Sequence, residues 1–250
     1  MDQIVMQAML GADERHWWYR GRRRVIRAEL DRLPLPARAR ILDAGCGSGR
    51  TMQELADYGE VSGIELSEPA AEVARARGIG EVVVGRLEEL PWAEESFDLI
   101  TCLDVIEHTP DDRVTLAELR RVCRPNGYLL LTVPAHPLLW SEHDVANHHY
   151  RRYTRASLRN AARGAGWTLQ RMSAFNSLLL APAAAVRLAR RRHLNRSGGA
   201  AAPEFRDELA LGPEWLNGVL EWPLALEARW LSRGGTLPIG LSLMAILRRV

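Results

Sequence analysis

Between residues 38 and 134 short apolar runs and amphipathic stretches take turns, and this alternation limits the fold of the chain more than any other feature. The runs are ARILDAGCG, EVSGIEL, GEVVVGR, SFDLITCLDVIEH and YLLLTVP. Between them TMQELADYG, SEPAAEVARARG and DDRVTLAELRRVCRPNG carry a helical period, with Ser67 as an N-cap, Pro69 in the first turn, and Pro125 and Gly127 as a stop. Strands that are apolar throughout and separated by helices belong to a parallel sheet covered on both faces, an α/β doubly wound layout. A helix over 13–34 precedes this part and ends at Pro34. After Pro134 the pattern loosens. TRASLRNAARGAGW reads as a helix capped by Thr154, WTLQRMSAF as a strand, Ser177 to Arg192 as an apolar-then-basic helix, SGGAAAPEF as a linker and LSLMAILRR as the final strand. The expected organisation is one domain over 1–250, with a helical lid at 13–34, a cofactor-binding half at 38–134 and a substrate-side half with a helical insertion at 135–250.

Composition removes several function classes. All 33 basic residues are arginine, so Schiff-base, P-loop-lysine and lysine-base chemistries are excluded. A net charge of +2 provides no global field for nucleic acid, and no nucleic-acid partner is expected. Three widely spaced cysteines, Cys46, Cys102 and Cys123, fit neither a disulfide framework nor a zinc ribbon and suit a reducing cytoplasm. The first residues lack the pattern of a signal peptide, the apolar run Leu178 to Val186 is too short to span a bilayer, and the Asn195 sequon carries no weight in that setting.

The turn ILDAGCGSGR then raises the question of the ligand. Gly45 and Gly47 match the first two glycines of the dinucleotide fingerprint, but the third place holds Arg50. Asp43, at the expected strand end, would repel a pyrophosphate at this turn and attract a cationic ligand without phosphate. S-adenosylmethionine, with its ammonium and sulfonium, is such a ligand. Glu65 closes the next strand, where an acid accepts from both ribose hydroxyls.

Taken with ILDAGCGSG, the segments GIELSEPAAEVARARG, LEELPWAEESFDLITCLDVIEH and ELRRVCRPNGYLLLTVP resemble the class I S-adenosylmethionine-dependent methyltransferases of the ubiquinone/menaquinone-biosynthesis-like superfamily over residues 38–134. The resemblance implies a Rossmann-like, seven-stranded, mostly parallel sheet with its last strand antiparallel. It implies that Asp43, Gly45 and Gly47 face the methionine moiety and that Glu65 binds the ribose. Leu66 would pack on the adenine, Arg86 and Leu87 would lie beside it, and Asp104 and Val105 would stand at the mouth of the fourth strand. Relatives often carry an acid where this chain has Arg86; arginine cannot accept from the adenine amino group, which leaves the backbone at Leu87 for that contact.

Methyl transfer from a sulfonium requires mostly alignment, plus a base when the acceptor is a hydroxyl or amine. DVIEHTPDD after the fourth strand lacks the motif of amino-methylating nucleic-acid enzymes. His108 lies beside the expected methyl position, as a base or as a loop-fixing histidine. The cluster His143, Asp144, His148 and His149 reads as a solvated loop first, then as a base with an orienting acid, for which His143 with Asp144 is the chosen pair, and last as a metal set; no metal is expected. In HWWYRGRRR one of Trp17 and Trp18 should pack on the sheet, with Trp18, Tyr19 and Arg23 facing acceptor and cofactor as a lid. His148, Arg151 and Arg152, with Arg155 nearby, suggest an anionic acceptor such as a carboxylate, a phosphate or a lipid-linked glycan. FNSLLLAPAAAVRLARRR suits core cover, a homodimer contact or a peripheral membrane surface. The expected function is methylation of a small-molecule or lipid-linked metabolite, at oxygen (hydroxyl or carboxylate). Methylation of nitrogen or of a peptide carboxylate, a non-catalytic S-adenosylmethionine-binding partner or sensor, and an NAD-linked enzyme remain the rivals.

Overall fold

The computed structural model describes residues 16–182, 184–185 and 214–250. The start of the expected N-terminal helix at 13–15, most of the basic half of the 177–192 stretch, the 197–205 linker and Asn195 lie outside the described residues.

Seven strands form one sheet: β1 (Ala39–Ala44), β2 (Gly59–Glu65), β3 (Val82–Val84), β4 (Phe97–Leu103), β5 (Cys123–Pro134), β6 (Thr168–Phe175) and β7 (Ser242–Arg248). Their spatial order is β3-β2-β1-β4-β5-β7-β6. The pairs among β1 to β5 are parallel, while β7 runs antiparallel between β5 and β6. The helices are α1 (Trp17–Leu30), α2 (Arg50–Leu55), α3 (Glu68–Ala76), α4 (Asp112–Val122), α5 (Glu142–Ala146), α6 (Arg155–Gly164) and α7 (Glu214–Ser232).

Alternation along each strand divides the core in two. Leu42, Ile100, Leu129 and Leu131 join Leu116 and Leu119 of α4 and Leu158 of α6 on one face. Ile41, Leu99, Leu130 and Ile246 join Val25 and Ile26 of α1, Met52 of α2, Ala71 of α3 and Leu224 and Leu231 of α7 on the other. Ser67 and Thr154 cap α3 and α6 as their positions suggest. Helix α4 stops earlier than Pro125 and Gly127 would place it. Cys123 already pairs with Phe97, and the chain before Pro125 favours extended backbone.

The strand order reverses direction around β1, leaving a crevice outside the carboxyl ends of β1, β2 and β4. Helices α1 and α7 pack together on the second face and reach the crevice through Trp17, Trp18, Tyr19 and Leu220. They pack so closely that a Cβ on Gly21 would lie 2.3 Å from a methyl of Leu224. The position therefore admits only glycine without repacking.

Candidate functional site

The crevice opens into a cavity of about 1080 Å³. That is at the top of the ~300–1,000 Å³ range that holds one drug-sized ligand, so a nucleoside cofactor and an acceptor have room together.

Its floor is the turn after β1. Gly45, Gly47 and Gly49 all hold positive φ, at 80°, 54° and 74°. A Cβ on Gly45 would strike Val105 at 2.5 Å, whereas one on Gly47 would meet nothing within 4 Å. Glycine is required at both by backbone conformation, and at Gly45 by crowding as well. The N–H groups of this turn are already engaged. Those of Gly45 and Cys46 donate to the Ile64 carbonyl at 2.8 and 3.0 Å, and that of Gly49 to Cys46 at 2.9 Å. The Gly47 N–H donates to Glu65 Oε2 at 3.0 Å. A pyrophosphate would find few free donors here, which weighs against a dinucleotide beyond the charge of Asp43. Asp43 is buried and accepts the Thr101 hydroxyl at 2.7 Å, which fixes its carboxylate under the turn. Glu65 takes one backbone N–H on each oxygen, from Gly47 and, at 2.9 Å, from Ser67. Each oxygen keeps a lone pair, the arrangement that two adjacent hydroxyls require. The residues fit a nucleoside with a cationic tail.

Leu66, Arg86 and Leu87 line the adjoining wall, Leu66 exposed, Leu87 buried, and Arg86 turned outward toward Glu88 at 3.6 Å. Asp104, at φ 59°, and Val105 stand at the end of β4. Asp104 receives Arg22 of α1 at 2.7 Å. Arg22, rather than Arg23, thus reaches the cavity. Arg23 is buried on the other flank of α1 against Glu54 at 3.1 Å, because successive helical residues diverge by ~100°. Trp17, Trp18 and Tyr19 all line the cavity, so the expectation that only one tryptophan faces inward is corrected. Trp18 stacks on Phe175 at 5.9 Å and Trp17 meets Trp18 edge-on at 6.1 Å.

Opposite the glycine turn lie the histidines. Asp144 is buried and pairs with His149 and Arg152, not with His143. Its Oδ1 takes His149 Nδ1 at 2.9 Å and Arg152 Nε at 2.7 Å, and its Oδ2 takes the Ser141 N–H at 2.8 Å. Burial opposes ionisation of Asp144, but the bonds from His149 and Arg152 outweigh it and hold the carboxyl well below the usual range. The sequence singled out His143 with Asp144 because they adjoin. In the one-turn helix α5 Asp144 turns back to close a capping box on Ser141, while the His143 ring remains on the cavity 6.4 Å from that of His149. His108 packs edge-on against His149 at 4.6 Å. Burial first, then the charge of His149, pushes its pKa down to about 4, so it is neutral near pH 7. Glu107 beside it is buried, with Oε2 lacking a partner, and burial followed by the charge of Asp104 raises its pKa well above the ordinary value. Glu107, His108 and His149 each bring one ligand atom within 4.8 Å of the others.

The basic stretch is corrected too. Arg151 straps the loop before α4, donating to the Thr109 carbonyl at 3.0 Å and facing Asp112 at 3.4 Å. Arg155 donates to the Met172 carbonyl at 2.8 Å. Arg152 lines the cavity, but its guanidinium serves Asp144 and the Ala135 carbonyl at 3.2 Å. His148 sits exposed on the rim at φ 54°. The anion-binding cluster expected from these arginines is instead a set of internal clamps.

Residues 42–131 match the family model described as a methyltransferase domain. That segment is an S-adenosylmethionine-dependent methyltransferase domain. Its cofactor is S-adenosylmethionine, and it is related to the ubiquinone-biosynthesis O-methyltransferases. One of these, from Hahella chejuensis, is 39% identical over 109 residues, 41% of this chain and 45% of that protein. The domain's match to that curated relative thus spans less than half of its length. Among solved structures, an S-adenosylmethionine-dependent methyltransferase from Mesorhizobium loti superposes with a TM-score of 0.57 at 20% identity, covering 89% of this chain and 96% of that one. The [4+2]-cyclase SpnF superposes equally, at 0.57 and 18% identity over 90% of this chain and 80% of that one. Both likenesses show the methyltransferase-domain fold alone.

Proposed function

We propose that this chain transfers a methyl group from S-adenosylmethionine to a hydroxyl oxygen of a small-molecule or lipid-linked metabolite. The observation that carries the reading is that Gly47 and Glu65 share one cavity with His149, whose ring is held from behind by the buried Asp144. When bound, the cofactor supplies a methyl already activated on its sulfonium. Glu65 would accept the ribose hydroxyls. Asp43, Gly45 and Gly47 would hold the amino-acid end, and Leu66 and Leu87 would flank the adenine beside Arg86, with Asp104 and Val105 at the mouth. His149, whose Nδ1 is held by Asp144, would present Nε2 to the acceptor hydroxyl and take its proton. Asp144 would orient it, Arg152 would keep Asp144 ionised, and neutral His108 with His143 would wall the same side. Trp18, Tyr19 and Arg22 of α1 would close the opening as a lid. An oriented base favours a hydroxyl over a carboxylate, which needs none, and the related O-methyltransferases support oxygen over nitrogen.

The test is incubation with methyl-labelled donor and host-cell extract. Label in a small extractable product is expected, lost by roughly 10²–10⁴-fold in His149→Gln with cofactor affinity kept. Tight cofactor binding with no label anywhere would replace this reading with that of a binding partner or sensor. The convergence of Glu107, His108 and His149 supports a second version of the proton step. A divalent cation held there would acidify the acceptor hydroxyl in place of the base. Turnover lost on dialysis against a chelator and restored by added cation selects this version, and turnover indifferent to chelator selects His149.

A further inference from the structure

Helix α7 buries one face and leaves an unusual one outside. Trp215, Val219, Trp222, Leu226 and Trp230 are all exposed, Trp215 at 70% and Trp222 at 62%. Their steps of four, three, four and four residues place them within one stripe of the helix. Tryptophans are rarely left in water as a row without an interaction to account for them.

The charges around the stripe are sorted by sign. The acids of α7 that the structure describes by side chain, Glu221 and Glu227, are both buried. Glu227 accepts the backbone N–H groups of Asn176 and Ser177 at 2.6 and 2.8 Å. Glu221 forms ion pairs with Arg20 and Arg24 of α1 at 3.0 and 2.8 Å. The exposed charge on α7 is Arg229, with Arg233 just beyond. On neighbouring α1 every exposed residue is an arginine: Arg20, Arg24 and Arg27, at i, i+4 and i+7, of which Arg27 also faces the exposed Asp57 at 2.8 Å. A tryptophan row flanked by cations, with its acids turned inward, complements an anionic lipid surface: indoles occupy the headgroup layer and guanidiniums face phosphate. No described helix is long and apolar enough to cross a membrane, so contact through α7 lies along the surface.

We propose that α7 docks this protein in the plane of an anionic lipid surface, with Trp215, Trp222 and Trp230 entering the headgroup layer and the arginines of α1 and of the end of α7 set over the phosphates. The inference goes beyond the transfer reading and does not depend on it. It concerns a different segment from the apolar-then-basic stretch at 175–192. Leu220 of the same helix lines the cavity, so docking sets one wall of that cavity beside the lipid.

The test is co-sedimentation of the full chain with sucrose-loaded vesicles of phosphatidylcholine, with and without phosphatidylglycerol. Binding to the anionic vesicles is expected, weakening as salt is added. W215S/W222S should reduce it at least about tenfold, and V219E on the same stripe should act in the same direction. Circular dichroism and affinity for S-adenosylhomocysteine should be unchanged in both variants. Residues 183–213 contain no tryptophan, so quenching by brominated lipid separates α7 from that stretch; the quenching should fall in W215S/W222S. Undiminished sedimentation of the variants, no binding to either vesicle, or a solution dimer that the variants abolish would each overturn the proposal.

Discussion

Asp144 illustrates how neighbours in sequence part company in space. A carboxylate this buried depends on its partners, and Arg152, almost as buried, is the strongest of them at 2.7 Å. Arg152→Met leaves that charge with His149 and the N–H and hydroxyl of Ser141, and a loss of about 3–5 kcal/mol is expected in urea unfolding, as for other broken buried pairs. An unchanged midpoint would show that the pair contributes nothing to stability. Glu65→Gln removes the charge and one of two acceptors from a side chain that also caps Gly47 and Ser67. Calorimetry with S-adenosylhomocysteine should read a weakening of roughly ten- to a hundredfold, the value of charge-assisted bonds of ~1.5–3 kcal/mol. Glu29 carries a pH signature. Burial raises its pKa above 4.5, and the charge and hydrogen bond of Arg171 only partly offset this. A folded-state pKa above the unfolded one means that the group's contribution is complete below about pH 4.5 and is lost as pH rises through the folded value. The stability of wild type relative to Glu29→Gln should therefore fall from pH 4 to pH 7; a difference constant across that range would refute the shift.

At the scale of elements, the contact between α1 and α7 holds together two helices that both contribute to the cavity wall. It depends on Gly21, where a Cβ would lie 2.3 to 3.1 Å from side-chain carbons of Leu224. Gly21→Ala should cost roughly 1–3 kcal/mol by overpacking, and a second change, Leu224→Ala, should recover part of that loss. A double-mutant cycle read by chemical unfolding checks it, and simple additivity would mean that the helices separate without strain. Helix α7 itself was not legible in the sequence. Pro223 stands inside it, and its outward stripe of Trp215, Val219, Trp222 and Leu226 hides the polar face by which a surface helix is recognised. The seven strands, by contrast, were legible, because the central ones are near-continuous apolar runs buried on both faces and the others are bounded by caps or turns.

For the whole molecule, α1 is tied to the cavity end of the sheet through Arg22 and Asp104 at 2.7 Å, beside the tryptophans that wall the cavity. If α1 acts as a lid, S-adenosylhomocysteine should slow limited proteolysis near residue 20; cleavage at the same rate with and without it would exclude that role. The meeting of the glycine turn with Asp43 and Glu65 was readable from residue order, since two strand-terminal acids and the turn need only one strand–helix–strand unit to bring them together. That local geometry is set by backbone sterics and short-range hydrogen bonds. The acceptor end was not. Which of His108, His143 and His149 meets Asp144, whether Arg22 or Arg23 turns inward, and whether Arg151 and Arg152 bind a ligand or the protein's own carbonyls all depend on contacts between segments far apart in the chain. The sequence by itself determined the sheet and the place of the glycine turn beside Asp43 and Glu65, because these follow from periodicity and local conformation. Only the tertiary structure decided the partners of the buried charges, because a buried ion is held by whichever counter-charge the packing of distant elements brings within hydrogen-bond reach.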